Sequence, residues 1–154
     1  MLGRKPSVPT VIFHAYSAAY RDRCLAIFAA NCPGYFAPNE RSDYISFLDA
    51  PTPGYELCLI DGIVVGAFGL TGDAAVRNLN WVMLAPQSRG RGLGAALMAR
   101  VVSQAQDAAV TCLQIAASQH SSGFFANYGA VGAEVIIDGW GPGMHRIDME
   151  LQLQ

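Results

Sequence analysis

The stretch from Gln87 to Gly94, QSRGRGLG, holds the residues whose types and spacing point most directly to chemistry. An apolar run from Leu79 to Ala85 precedes it and ends at Pro86; an alanine- and leucine-rich segment from Gly92 to Asp107 follows. The pattern is strand, glycine-rich turn, helix. Such a turn leaves backbone N–H groups unpaired at the helix N-terminus, where the helix dipole adds partial positive charge. That combination binds anions, most often phosphate or pyrophosphate. Glycine lets the backbone approach a ligand closely, and Arg89 and Arg91 add charge beside it. A P-loop is excluded because no Gly-Lys pair occurs in the chain. Gly90, Gly92 and Ala95 formally meet a dinucleotide fingerprint, but that motif also needs an acid roughly 20 residues on for the ribose. After Asp107 the next acid is Glu134, so a nicotinamide dinucleotide is argued against. A turn with no ligand is the remaining alternative.

The order Gln87-x-x-Gly90-x-Gly92, after a strand and opening a helix, resembles the acetyl-CoA motif of the GCN5-related N-acetyltransferases (GNAT family). The wider string LNWVMLAPQSRGRGLGAALM resembles that motif along its whole length. The resemblance implies acetyl-CoA as cofactor. Its pyrophosphate would meet the backbone of Arg89, Gly90, Arg91, Gly92, Leu93 and Gly94, with Gln87 opening the motif. Its pantetheine arm would pair with the strand end at Met83, Leu84 and Ala85. An N–H near Leu84 would serve as the oxyanion donor; Pro86 has none to give.

Acyl transfer to an amine also needs a group to take the amine's proton and a group to receive the departing thiolate. The segment Phe124-Phe125-Ala126-Asn127-Tyr128-Gly129-Ala130 resembles the family's F-Y-x-x-x-G-F signature, whose tyrosine is the usual acid. Here that position is Phe125, which has no proton to donate and is left as a cofactor contact. Tyr128, about one helical turn on, is either a substitute acid or an aromatic used for packing. Gln119, in Ser118-Gln119-His120-Ser121-Ser122, either contacts the pantetheine or acyl group or caps the short helix that follows. His120 reads as an exposed residue. His145 resembles a family histidine directed at the acceptor amine, where an imidazole could act as a base or bind a carboxylate; otherwise it is a hydrogen-bonded residue at a strand start. Asp148 is solvated or paired with Arg146. Tyr35, Phe36 and Tyr44 would line the acceptor pocket. Glu40, Glu56, Asn78 and Asn80 are amine contacts or ordinary surface residues. The expected reaction is direct attack of a primary amine, from a small molecule or peptide, on the thioester. The absent tyrosine also leaves open a catalytically silent CoA-binding module used for sensing or assembly.

At 154 residues, 52% hydrophobic and 14% charged, the chain fits one domain with a substantial core. Residues 1–9 are expected to be a loose segment. The net charge of −2 gives no footprint for nucleic acid, and no apolar run reaches the roughly 18 residues of a membrane span. Cys24, Cys32, Cys58 and Cys112 lie far apart without metal-ligand spacing, so they read as free thiols in a reducing cytoplasm and no metal is expected. The acidic pI of about 5.8 mildly favours basic or neutral amines. A homodimer is possible through apolar surface, with no edge selected.

The elements that must position these groups follow from periodicity. Thr10–Ala15 reads as a strand, Ala18–Asn31 as a helix stopped by Cys32-Pro33-Gly34, and 38–48 as a second helix. Pro51-Thr52-Pro53-Gly54 breaks the chain. Tyr55–Ile60 and Ile63–Leu70 form a hairpin around Asp61-Gly62, a pair that favours a type I′ turn. Ala74–Leu84 is a strand, Thr111–Ala117 a buried strand, Ser121–Tyr128 a short helix and Val131–Ile137 a strand. Asp138–Gly143 reads as a turn-rich loop, and His145–Leu153 closes the sheet. This order is similar to the GNAT arrangement over nearly the whole chain. The implied fold is α/β of the α+β kind: a mixed central sheet flanked by helices, splayed between the strand ending at Ala85 and the strand 111–117.

Overall fold

The structure, a computed structural model, describes residues 10–51 and 54–153. The expected loose segment 1–9 and part of the break at 51–54 lie outside the described residues. In chain order the elements are β1 (Ile12–Ala15), a 3-10 turn (Ala18–Tyr20), α1 (Arg21–Ala30), α2 (Glu40–Asp49), β2 (Tyr55–Ile60) and β3 (Ile63–Thr71). There follow β4 (Val76–Leu84), a 3-10 turn (Pro86–Ser88), α3 (Leu93–Asp107), β5 (Cys112–Ser118), α4 (Ser122–Ala126), β6 (Val131–Gly141) and β7 (Met144–Gln152). The strands form one sheet in the order β1-β2-β3-β4-β5-β7-β6. Every neighbouring pair is antiparallel except β4 with β5, which is parallel and joined through α3.

Apolar spacing explains the layers. On α3, Leu93, Leu97, Met98, Val101 and Ala105 recur at helical intervals and are all buried, while the opposite face is solvated. β3 is buried without interruption from Val64 to Leu70, as a strand covered on both sides requires, and α1 and α3 both lie against it. The β2–β3 turn has positive φ at both Asp61 (51°) and Gly62 (76°), as a type I′ turn demands.

The sheet divides where the site forms. β4 and β5 pair only from Val76↔Cys112 to Leu79↔Ile115. Beyond that point β4 continues along β3 to Leu84, and β5 continues along β7 to Ser118. At the point of divergence the register of β3 against β4 shifts between Ala67 and Gly69, and Trp81 takes φ of 48°. A left-handed residue with a Cβ costs roughly 1–2 kcal/mol. Contacts around the ring and carbonyl of Trp81 offset it. The ring lies 4.9 Å from Tyr44 and 6.1 Å from both Phe36 and Phe47, centroid to centroid. Its carbonyl accepts a 3.0 Å hydrogen bond from the Tyr55 hydroxyl, which in turn accepts one of 2.8 Å from Tyr44.

Two elements differ from the sequence expectation. The first helix begins at Arg21, because the Tyr20 N–H bonds to the Ser17 carbonyl and closes a 3-10 turn first. The segment expected as a loop at 138–143 instead extends β6 to Gly141. The ladder there is irregular: Asp138 has φ of 53°, its N–H donates to Nδ1 of His145, and its carboxylate accepts the Gly143 N–H. Side chains substitute for ladder bonds, so turn-forming residues stay within a hairpin.

Tyr55→Phe should remove the donor to the Trp81 carbonyl and lower stability by about 1–3 kcal/mol, read as a lower urea midpoint with unchanged slope. An unaltered midpoint would mean that the bond does not hold the strained residue.

Candidate active site

The divergence of β4 and β5 opens a cleft of about 540 Å³. It runs from the glycine turn, at Gly90 and Gly94, past Leu84 and Phe125, to Glu40 and Trp140. Its lining is mostly apolar. Four polar side chains among the described residues are buried, Asn31, Glu40, Ser88 and Ser118, and three of them line this cleft. Polar groups withdrawn from water cost free energy unless they are paired, so their concentration here marks the site.

The turn fits an anion. The Ser88 and Arg89 amides are taken by the carbonyls of Ala85 and Pro86. Among the described residues, the N–H groups of Gly90 through Ala95 donate to no protein acceptor. Gly90 and Gly92 have φ of 77° and 78°, and a Cβ at either would meet open space. Six free donors at the N-terminus of a fifteen-residue helix form an anion cradle. Gln87, Arg91 and Gly92 are exposed around it, and Leu93 adds its amide while its side chain is buried. Arg89 departs from the expected role on both counts. Its amide is bonded, and its guanidinium donates to Oδ1 of Asn31 and lies 4.3 Å over the Tyr35 ring. The cation left beside the cradle is Arg91.

The end of β4 supplies one set of free backbone groups. The Ala85 N–H donates to the Val65 carbonyl, so alternation directs Met83 and Ala85 toward β3 and Leu84 toward the cleft. The Leu84 carbonyl accepts Nδ2 of Asn31 at 3.0 Å. Asn31 also donates to the Ile27 carbonyl, and its own carbonyl accepts the N–H groups of Tyr35 and Phe36. The side chain ties α1, Leu84 and Arg89 together, and the Asn31 backbone carbonyl holds the α1–α2 loop. Sequence reasoning had assigned it only to the end of a helix; its signal, an Asn before Cys-Pro-Gly, is the same for an ordinary helix stop.

The expected catalytic side chains are not brought together. Tyr128 is 39% exposed, packs on Phe124 and lies outside the lining. Phe125 is buried and lines the cleft, presenting only carbon. His145 also lies outside the lining, because its Nδ1 is engaged by the Asp138 N–H. Gln119 neither lines the cleft nor caps α4; it donates to the Gly143 carbonyl and accepts the His145 N–H, fastening the β6–β7 hairpin to β5. Asp148 pairs with Arg146 at 2.7 Å. Glu56 is held by Arg100 and Gln104 of α3, away from the cleft. Tyr44 belongs to the core, and Asn78 lies outside this lining. Tyr35 and His120 do line it, edge to face at 6.4 Å.

At the far end stand Phe36, Asn80, Trp81, Trp140 and Glu40. Asn39 donates to the Trp140 carbonyl at 2.7 Å and straps the α1–α2 loop to the β6–β7 hairpin. The Trp140 indole N–H is fixed on the Ala117 carbonyl. Glu40 is 5% exposed. Its Oε2 accepts the Ala37 N–H at 2.7 Å, and Oε1 has no protein partner among the described residues. Burial pushes its carboxyl up to about 7, against the opposing Ala37 hydrogen bond and with help from Asp43. The sequence names Glu40 but does not distinguish it from a surface residue, because its burial is set by tertiary packing around the cleft. The thiols of Cys24 and Cys58 are pushed up by burial to about 11 and about 12.

Residues 24–130 match the model of the acetyltransferase (GNAT) family. Solved structures agree in fold. The ribosomal-protein-S18-alanine N-acetyltransferase of Escherichia coli matches with a TM-score of 0.78 at 11% identity, over 94% of this chain and 95% of that one. An N-acetyltransferase from Staphylococcus aureus Mu50 matches with 0.71 at 13%, over 94% and 99%. The N-acetylglutamate synthase of Neisseria gonorrhoeae, complexed with coenzyme A and N-acetyl-glutamate, matches with 0.73 at 16%, over 97% of this chain and 36% of that one. No curated protein matches the chain in sequence. The chain belongs to the GNAT acetyltransferase family. It is therefore an acyltransferase whose donor is acetyl-CoA. No helix among the described residues is long and apolar enough to cross a membrane.

Glu40 gives stability a definite pH dependence. Its carboxyl is higher in the folded chain, about 7, than its ordinary value of 4.5. The folded state therefore holds a proton that the unfolded state has lost, and stability falls as pH rises through that window. The full shift corresponds to on the order of 3 kcal/mol. Glu40→Gln should remove this decline between pH 4.5 and 7, checked by urea unfolding across pH. Parallel profiles for parent and variant would contradict it.

Proposed function

We propose that this enzyme moves the acetyl group of acetyl-CoA to a primary amine by direct attack on the thioester. The observation that carries the reading is the Leu84 backbone facing the gap between β4 and β5, with the free amides of Gly90–Ala95 at the gap's mouth. Those amides, with Arg91, would hold the pyrophosphate. The free edge of Leu84 would orient the arm, and Phe125 and Leu97 would shield the thioester from water. Bound there, acetyl-CoA supplies an activated acyl group.

The rest is the work of this chain's own residues. The Leu84 N–H is the donor that would meet negative charge developing on the acyl oxygen, and such a preorganised donor is worth about 10²–10³ in rate. Asn31 holds the Leu84 carbonyl on that same edge of the strand and so fixes the donor's direction. Phe36, Trp81 and Trp140 line the opposite end, where the acceptor amine would enter. With Tyr128 and His145 outside the lining, neither is assigned proton transfer. The phenol that does line the cleft, among the described residues, is that of Tyr35.

Acetyl-CoA and CoA should each raise the melting temperature, with about 2.7 kcal/mol of stabilisation at a hundredfold excess over Kd, while NADH and ATP should not. Gly92→Asp places a side chain and a negative charge at the cradle, and should weaken CoA binding at least about tenfold while lowering stability by only about 1–2 kcal/mol. Equal affinity in variant and parent would refute this placement of the pyrophosphate.

A further inference from the structure

We infer that Glu40 is the base that takes the acceptor's proton, and that the acceptor is a small primary ammonium with no carboxylate beside its nitrogen. This rests on the acetyl-transfer reading and adds to it the identity of the base and the class of acceptor. Three features of the far end of the cleft support it. Glu40 lines the cleft and is buried, yet only one of its oxygens is bonded within the protein. Phe36 and Trp81 line the same end, and aromatic faces attract a desolvated ammonium, while the Trp140 ring already lies 5.7 Å from the guanidinium of Arg146, which pairs with Asp148. The cations that line the cleft, among the described residues, do not offer a partner there for a carboxylate: Arg89 is held by Asn31 and Tyr35, and His120 lies with Tyr35. An acceptor carboxylate would face Glu40 with no counter-charge.

The strap from Asn39 to Trp140 ties the α1–α2 loop to the β6–β7 hairpin across this end, which favours a small acceptor. Asp43, on the same helix, reinforces the effect of burial on Glu40, and neither Arg89 from the turn nor His120 from the end of β5 offsets it. The group can therefore exchange a proton near neutral pH. In the step, an N–H bond of the ammonium breaks and its proton goes to Oε1 of Glu40. The freed nitrogen pair forms the C–N bond at the acetyl carbonyl. The C–S bond breaks with its pair on sulfur, and the surplus proton of the new amide nitrogen completes the thiol. Glu40 then releases its proton to solvent.

The bond from Ala37 to Glu40 is also a helix-capping contact, so the test must separate structure from chemistry. Glu40→Gln keeps an acceptor for Ala37 and loses the titrating group. The full chain is assayed with acetyl-CoA and phenethylamine or phenylalanine from pH 5.5 to 9.5, with acetyl-CoA affinity measured in parallel. The parent should acetylate phenethylamine with kcat/KM rising through a limb near pH 7. It should reject phenylalanine by at least about a hundredfold, since juxtaposed like charges cost several kcal/mol. Glu40→Gln should bind acetyl-CoA as the parent does, lose kcat/KM at least about a hundredfold at pH 8, and lose that limb. An unchanged limb in the variant would overturn the role of Glu40. Equal use of phenylalanine, or acetyl-CoA binding without turnover of phenethylamine, would overturn the acceptor class while leaving the donor site intact. Failure of the parent to bind acetyl-CoA would overturn the acetyl-transfer reading itself.

Discussion

Parallel pairing between β4 and β5 stops after Leu79 and Ile115, although both strands continue, and the site follows from that interruption. Breaking a ladder inside a core leaves backbone donors and acceptors that water or a partner must satisfy. In this chain the Leu84 carbonyl goes to Asn31, and ladder alternation turns the Leu84 N–H away from β3 toward the cleft. The break is held open by local geometry. Trp81 sits in the left-handed region, the register slips beside it, and a cluster of Tyr44, Phe47, Phe36 and Tyr55 holds its ring and carbonyl. The strain is placed in the wall of the cleft, where it positions backbone atoms rather than a side chain.

Asn31 links that wall to the rest of the site. Its buried side-chain amide contacts the end of α1, the Leu84 carbonyl and Arg89, while its backbone carbonyl accepts the N–H groups of Tyr35 and Phe36 in the following loop. The acceptor end and the glycine turn therefore share one hydrogen-bonded unit. Arg89, which a charge-based reading places on phosphate, serves this internal link, and the anion cradle relies on backbone amides. Such donors are set by glycine geometry at Gly90 and Gly92.

Much of this was legible from residue order. The strand–turn–helix signature located the cradle, the Asp61-Gly62 pair located the hairpin, and the spacing on α3 gave its buried face. The splay between β4 and β5 followed from the family resemblance. What could not be read were properties created by distant contacts. Glu40 looks like any acid near a helix start until the fold buries it in the cleft wall with one oxygen on the Ala37 N–H. Gln119 and His145 read as site residues through the family resemblance, yet both are consumed in fastening the β6–β7 hairpin. Asp138–Gly143 has the composition of a loop, and its bonds to His145 and Gly143 keep it within the sheet's edge.

The free N–H of Leu84 and the amides of Gly90–Ala95 would receive one extended ligand. The most direct measurement is an amide nitrogen–proton NMR titration of the full chain with coenzyme A. The account predicts that the largest shifts fall on Leu84 and on residues 90–95 together, with the β6–β7 hairpin little changed. Shifts confined to other surfaces, or at the turn without Leu84, would contradict it.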